Sequence, residues 1–127
     1  RRLYTSFLAS SFRTLRFGLN EAHGKGMALQ FNYLAEKGAF VARPDGRFHV
    51  EFDKVKPALR DLVRDLLMLE ATGDYAGAKK MLDQFARITP EMERALERLK
   101  DIPVDIKPSA VTASSIAPRS AFTAHGE

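Results

Sequence analysis

The chain contains no cysteine and no tryptophan, and its histidines are few and far apart, at His23, His49 and His125. Without cysteine it can form neither disulfides nor thiolate metal sites, which indicates a cytoplasmic protein. No two histidines have the spacing of a helical zinc pair, and no pair of carboxylates has a catalytic arrangement. No apolar run is long enough to cross a bilayer. We therefore predict no metal site, no cofactor site and no membrane association for this chain.

The 127 residues, of which 45% are hydrophobic and 28% charged, have the composition of one globular domain with a modest core. The net charge of +4 comes from the segment up to Gly26, where Glu21 is the only acid. Such a basic segment can meet a phosphate, an acidic partner or a substrate carboxylate, or it can be an ordinary solvated face. Nucleic-acid binding is not favoured, because the aromatic residues stand at core positions rather than on a basic stripe.

The hydrophobic pattern predicts a mainly α fold, a bundle of about four to five helices with one β-hairpin. Apolar residues at helical spacing predict a short helical segment at 3–8 and one long helix over about 12–37, either straight or kinked near Gly24 and Gly26 and ended by Gly38. Period-two alternation around Pro44-Asp45-Gly46 predicts the hairpin near 39–52. The helical domain covers 1–108, and the Ser/Ala/Thr/Pro-rich residues 109–127 are predicted to form a flexible tail.

Three further helices are predicted after the hairpin. Asp53 is the expected N-cap of the first, with Pro57 in its first turn. Gly73 and Asp74 separate it from the second, and Thr89-Pro90 begins the third. The residues expected to face inward from these helices are Val55, Leu59, Leu62, Val63, Leu66, Leu69, Ala78, Met81, Leu82, Phe85, Met92, Leu96 and Leu99.

The candidate functional residue is His23, which the pattern places inside the long helix beside Gly24 and Gly26. Each glycine in a helix interior costs about 1 kcal/mol relative to alanine, and it is usually retained where another group approaches the backbone. A histidine at such a bare position can donate a hydrogen bond to a developing oxyanion. The competing interpretation is an ordinary surface or core histidine. His49 is expected on the solvent side of the hairpin, and no role is assigned to His125.

Three segments together resemble the dipeptidyl-peptidase III family of zinc metallopeptidases, particularly its bacterial branch, some members of which carry a Nudix-hydrolase name. They are Glu21-Ala22-His23-Gly24-Lys25-Gly26 with the following Asn32-Tyr33-Leu34, the run from Leu69 to Ala78 that contains Thr72-Gly73-Asp74, and Ile102-Pro103-Val104-Asp105-Ile106. The resemblance extends over about 11–108 and corresponds to the C-terminal part of the family.

The resemblance implies that His23 faces a cleft between two lobes, where it holds the substrate and the developing oxyanion without binding zinc. Eukaryotic members carry arginine four residues after this histidine, where this chain has Met27, and Lys25 is not equivalent. The family's zinc motifs, His-Glu-x-x-Gly-His and Glu-Glu-x-Arg-Ala-Asp/Glu, do not occur in this sequence. The zinc ligands are therefore expected upstream of Arg1, in a longer parent protein.

The leading hypothesis is a C-terminal helical fragment of a zinc-dependent peptidase, a hydrolase, that is inactive without the rest of its parent chain. Its implied partners are the remainder of that chain and, in the parent, zinc and a peptide substrate. The alternative is a non-catalytic helical module for protein interaction or dimerisation. Exposed apolar faces could drive homo-oligomer formation under either hypothesis.

Overall fold

A computed structural model of the chain describes residues 1–103. Within them, helices account for most of the structure and a single two-stranded hairpin interrupts them, as predicted. The elements in chain order are α1 (Arg2–Leu15), α2 (Ala22–Glu36), β1 (Phe40–Ala42), β2 (Phe48–Val50), α3 (Phe52–Thr72), α4 (Tyr75–Phe85) and α5 (Pro90–Leu99). The predicted flexible tail, 109–127, lies outside the described residues.

The prediction of one long helix over 12–37 is wrong. The chain forms α1 and α2 instead, separated by a turn at Gly18, whose φ of 84° lies in the left-handed region that favours glycine. Helical spacing of apolar residues continues through this turn because Leu15 and Leu19 both pack on the same core. The consequence for the candidate site is that His23 lies in the first turn of α2 rather than in the interior of a helix.

The hairpin forms where the alternation predicts it. Its antiparallel strands pair Phe40 with Val50 and Ala42 with Phe48. The turn between them closes through a 2.8 Å hydrogen bond from the Arg43 N–H to the Arg47 carbonyl. Because a two-stranded ribbon is marginal in water, it depends on the helices against which its aromatic side chains pack.

The helix boundaries of the second half are largely those predicted. Gly73 ends α3 with a φ of 62°, Asp74 accepts a 2.8 Å hydrogen bond from the Gly77 N–H, and the Thr89 hydroxyl accepts one from Met92. The predicted start of α3 is wrong. That helix begins at Phe52 after Glu51, so Asp53 is not its N-cap and Pro57 lies beyond the first turn.

Four phenylalanine rings from different elements form the centre of the main core. Phe31 of α2 lies 5.3 Å from Phe12 of α1, 5.3 Å from Phe40 of β1 and 5.0 Å from Phe48 of β2, measured between ring centroids. A smaller cluster joins α2, α3 and α4 through Leu29, Tyr33, Leu62 and Phe85. Helix α2 therefore contributes to both clusters, and it holds the hairpin on one side and α3 and α4 on the other.

Part of the predicted inward stripe is exposed. Val63, Leu66 and Leu82 retain 52%, 42% and 44% of their accessible surface, so their assignment to the core is wrong. Leu66 and Leu82 belong instead to an open groove of about 460 Å³ between α2, α3 and α4, called here the apolar groove, which is also lined by Leu29, Leu69, Tyr75, Ala78 and Met81. Helical periodicity identifies an apolar face but not whether this chain itself covers it.

Among residues 1–103, no helix is both long enough and apolar enough to cross a bilayer.

Candidate functional site

The candidate site lies where the turn after α1 meets the first turn of α2. The peptide of Gly18 packs so closely on Gly24 that a Cβ on Gly24 would lie 2.1 Å from the Gly18 carbonyl oxygen. The sequence predicted that another group approaches the backbone at these glycines. At Gly24 that group is the Gly18 peptide of this same chain, and not a ligand. This contact fixes the start of α2 against the end of α1 and so positions His23.

Gly26 serves a different purpose from Gly24. No atom lies within 4 Å of a Cβ built on Gly26, so the helix surface is open there. Gly26 lines a shallow pocket of about 390 Å³ together with Thr14, Ala22, His23, Met27 and Gln30. The bare backbone and the imidazole thus face the same open space, which we call the His23 pocket.

The His23 side chain is exposed, and within residues 1–103 it has no hydrogen-bond or ion-pair partner. It occupies the second position of α2, where Glu21 provides no side-chain cap. The first N–H groups of a helix lack internal partners and carry partial positive charge, so negative charge is stabilised near this end. An imidazole N–H beside these groups is placed to donate a hydrogen bond to an anionic atom in the pocket.

Sequence reasoning missed two polar residues of the His23 pocket. Gln30 follows His23 by seven residues, two helical turns, so the helical period alone could have placed both on one face. Thr14 belongs to α1 and reaches the pocket only because the chain turns at Gly18. No sequence signal for this proximity exists, because the predicted long helix would have carried Thr14 away from His23.

The other basic and imidazole residues named from the sequence do not join the pocket. Lys25 is exposed on α2 and Met27 lines the pocket with an apolar side chain. Arg16 Nη2 donates a 2.5 Å hydrogen bond to the Ile102 carbonyl, which ties the end of α1 to the residues after α5. His49 pairs across 3.3 Å with Glu51 on the hairpin, and His125 lies outside the described residues.

The described residues do not form a metal site. No three side chains of histidine, cysteine, aspartate or glutamate come together among residues 1–103 in a way that could hold a metal ion. Of the residues that the structure describes, none with a carboxylate lines the pocket around His23. What it offers chemically is hydrogen bonding from one imidazole, one amide and one hydroxyl.

Two solved structures that this chain matches in sequence and fold belong to much longer proteins. The chain is 48% identical to dipeptidyl-peptidase III from Caldithrix abyssi, superimposing with a TM-score of 0.78 over 84% of its length. For dipeptidyl-peptidase III from Corallococcus sp. strain EGB the identity is 45% and the TM-score 0.80, over 86% of the chain. This chain is similar, in sequence and fold, to a segment of dipeptidyl-peptidase III. It spans 20% of either solved chain.

A curated relative of this dipeptidyl-peptidase III-like segment carries another name. It is "Nudix hydrolase 3" of Arabidopsis thaliana, 47% identical over 116 residues, which are 90% of this chain and 15% of the relative. No family profile matches the chain. The resemblance inferred from the three sequence segments is therefore confirmed, and so is its partial extent.

Proposed function

We propose that this chain is part of the substrate cleft of a larger, zinc-dependent peptidase of the dipeptidyl-peptidase III type. In that protein His23 donates a hydrogen bond to the substrate or to the oxyanion that develops from it. The observation that carries the proposal is the similarity to two solved dipeptidyl-peptidase III structures, which extends over most of this chain but over only a fifth of theirs.

The proposal places the zinc ion outside the part of this chain that the structure describes. The described residues do not fit the ion, because they bring no three ligating side chains together. In the proposed parent the metal is held by other residues, and no step of its chemistry is assigned to this chain. The contribution of the segment is to shape the pocket and to present hydrogen-bond donors to the substrate.

The position of His23 suits this contribution. Its imidazole is exposed and unpaired within residues 1–103, so no internal hydrogen bond must break before it binds. The Gly18–Gly24 contact fixes the helix turn that carries it. Preorganised donors aimed at developing charge stabilise a transition state without further rearrangement, and removing one such donor typically lowers kcat by about 10²–10³.

The test uses the protein expressed from the complete reading frame. His23→Ala is expected to lower turnover of a peptide substrate by about one to three orders of magnitude while the zinc content is unchanged. His49→Ala is the matched control, because His49 makes only a surface pair with Glu51, and it should leave turnover unchanged. Wild-type turnover in His23→Ala contradicts the proposed role.

The reading frame itself separates the two hypotheses. A His-Glu-x-x-Gly-His segment in frame before Arg1 supports the peptidase, whereas a start codon immediately before Arg1 supports an independent interaction module. The isolated chain should acquire no stoichiometric zinc, and stoichiometric binding would contradict the proposal. The apolar groove is expected under both hypotheses, so it does not favour the module. A cytoplasmic location for the parent belongs to the same proposal.

A further inference from the structure

Strand β1 has an outer edge whose backbone groups lack partners. Two backbone hydrogen bonds identify the hydrogen-bonded pairs of this ladder. One runs from the Arg43 N–H to the Arg47 carbonyl, and the other, of 2.9 Å, runs from the Glu51 N–H to the Ala39 carbonyl. Such pairs alternate with non-bonded pairs in antiparallel strands. Phe40 and Ala42 are therefore in non-bonded pairs with Val50 and Phe48. Their N–H and C=O groups point away from β2 and bond to no other described residue.

This edge opens on a groove of about 470 Å³, called here the β1 groove. Three successive residues of β1, Phe40, Val41 and Ala42, line one side. The aromatic side chains of Phe31 and Phe48 contribute apolar surface, and Phe85, Arg87, Thr89 and Glu91 also line the groove. A strand edge beside an apolar surface is the arrangement to which extended peptides add.

Asn32 offers a further hydrogen-bond acceptor beside this strand edge. It is 8% exposed, and its side-chain amide donates to the carbonyls of Phe85 and Arg87, at 2.7 and 2.8 Å. Both amide protons are thus used, while Oδ1 accepts no hydrogen bond from any described residue. Asn32 lines the β1 groove. No side-chain polar atom among residues 1–103 is both buried and without a partner, so Oδ1 is accessible and can accept a hydrogen bond from an occupant of the groove.

We infer that the β1 groove binds an extended segment of the parent polypeptide that lies outside this chain. The segment pairs with the free N–H and C=O groups of Phe40 and Ala42, and one of its N–H groups donates to Asn32 Oδ1. Side chains alternate along a strand, so one apolar side chain of this segment packs on the aromatic floor of the groove. The inference rests on the proposed function insofar as it requires a longer chain.

The length of the matched structures argues for a segment of a longer chain as the occupant. The matched structures are about four times as long as this chain, which spans 20% of each. Natural proteins seldom leave a flat strand edge uncovered, because it invites aggregation.

Hydrogen exchange at the Ala42 amide tests the inference. In the isolated chain this outward N–H should exchange rapidly, whereas in the protein from the complete reading frame it should exchange at least about tenfold more slowly. The Val41 amide, which bonds within the hairpin by the alternation of the ladder, is the internal reference and should be protected in both. Exchange is read at single residues by mass spectrometry with fragmentation of the labelled peptides.

A proline at position 42 tests whether the occupant forms backbone hydrogen bonds with β1 or only packs against the groove. Ala42→Pro removes the outward donor but none of the bonds between β1 and β2, so the hairpin survives at an edge position that tolerates proline. In the longer protein it should lower the melting temperature, while Ala42→Ser, which keeps the N–H, should not. In the isolated chain neither variant should change protection of Val41, which verifies that the hairpin is intact.

The outcomes distinguish this inference from the proposed function. Equal, rapid exchange of Ala42 in both proteins overturns the inference, even if the longer protein binds zinc and cleaves peptides. Slow exchange in a longer protein that lacks zinc and turnover supports the inference and overturns the proposed function. A reading frame that adds no residues to this chain overturns both.

Discussion

The Tyr33 hydroxyl donates a 2.6 Å hydrogen bond to Asp65 Oδ2 and so joins α2 to α3. Burial, reinforced by the neighbouring carboxylate, raises the pKa of Tyr33, while the hydrogen bond from Tyr33 lowers the pKa of Asp65. Arg64 also pairs with Asp65, at 3.2 Å, and Lys37 pairs with Asp61 at 3.1 Å. The junction between the two helices is therefore polar at its rim, beside the smaller cluster that contains Tyr33.

Tyr33→Phe should lower the free energy of unfolding by about 1 kcal/mol, because it removes one partly buried hydrogen bond without changing the ring packing on Phe85. Urea denaturation followed by circular dichroism measures the change. Tyr75→Phe is the control, since Tyr75 is 83% exposed and should behave like wild type. Equal stability of Tyr33→Phe and wild type would show that the Asp65 bond contributes nothing.

The free energy of unfolding should decrease in acid, because the hydrogen bond from Tyr33 lowers the pKa of Asp65 in the folded state. A carboxyl group whose pKa is lower in the folded state stabilises the fold above its unfolded pKa, about 3.9, and that contribution is lost as pH falls through the folded pKa. The difference in unfolding free energy between wild type and Tyr33→Phe should therefore narrow below about pH 4. In Asp65→Asn, which cannot titrate, adding Tyr33→Phe should have a pH-independent effect. If the difference in unfolding free energy between wild type and Tyr33→Phe does not change across this pH range, Asp65 is not the group that causes the pH dependence.

The two glycines of α2 should respond in opposite directions to alanine. Gly24→Ala places a Cβ 2.1 Å from the Gly18 carbonyl oxygen, so the turn or the helix must move, at a cost of about 1–3 kcal/mol. Gly26→Ala meets no atom within 4 Å and should stabilise α2 by about 1 kcal/mol through helix propensity. Thermal melts of both variants provide the comparison. A stabilising Gly24→Ala would contradict the close approach.

Asn32→Ala should destabilise the chain by about 2 kcal/mol, because the carbonyls of Phe85 and Arg87 both lose a donor. Asn32→Asp should be worse at neutral pH, since a carboxylate would face the same two carbonyl oxygens without a proton to donate. Chemical denaturation at pH 7 ranks the two variants. The exposed Asn20→Ala is the control, expected within about 0.5 kcal/mol of wild type.

The apolar groove should make the isolated chain associate. Sedimentation equilibrium over a range of concentrations is expected to show self-association, and Leu82→Lys should reduce it with little loss of stability, because Leu82 is 44% exposed. Lys79→Ala is the control, since Lys79 pairs with Asp83 on α4 and does not line the groove. If the wild-type chain is monomeric at all concentrations, the apolar groove does not cause self-association.

Local signals predicted much of this architecture. The caps at Asp74 and Thr89, the left-handed Gly73 and the hairpin around Asp45 each depend on residues close together in the sequence. The break between α1 and α2 was not predicted, because apolar residues keep a helical spacing across Gly18 although the helix ends before it. The neighbouring glycines identified His23 as the candidate residue and the resemblance implied its role, but both were placed inside one continuous helix where the structure has two.

The sequence by itself determined the mainly helical character, the hairpin and the family resemblance, since periodicity, turn chemistry and motif spacing are local properties. Only the tertiary structure decided that Gly24 must lack a Cβ because the Gly18 carbonyl oxygen occupies that space, whereas Gly26 lines the open His23 pocket. It also decided that Leu66 and Leu82 remain exposed. The physical reason is that a pattern shows which face of an element is apolar or bare, while the neighbour that meets this face comes from a distant part of the chain or from outside it.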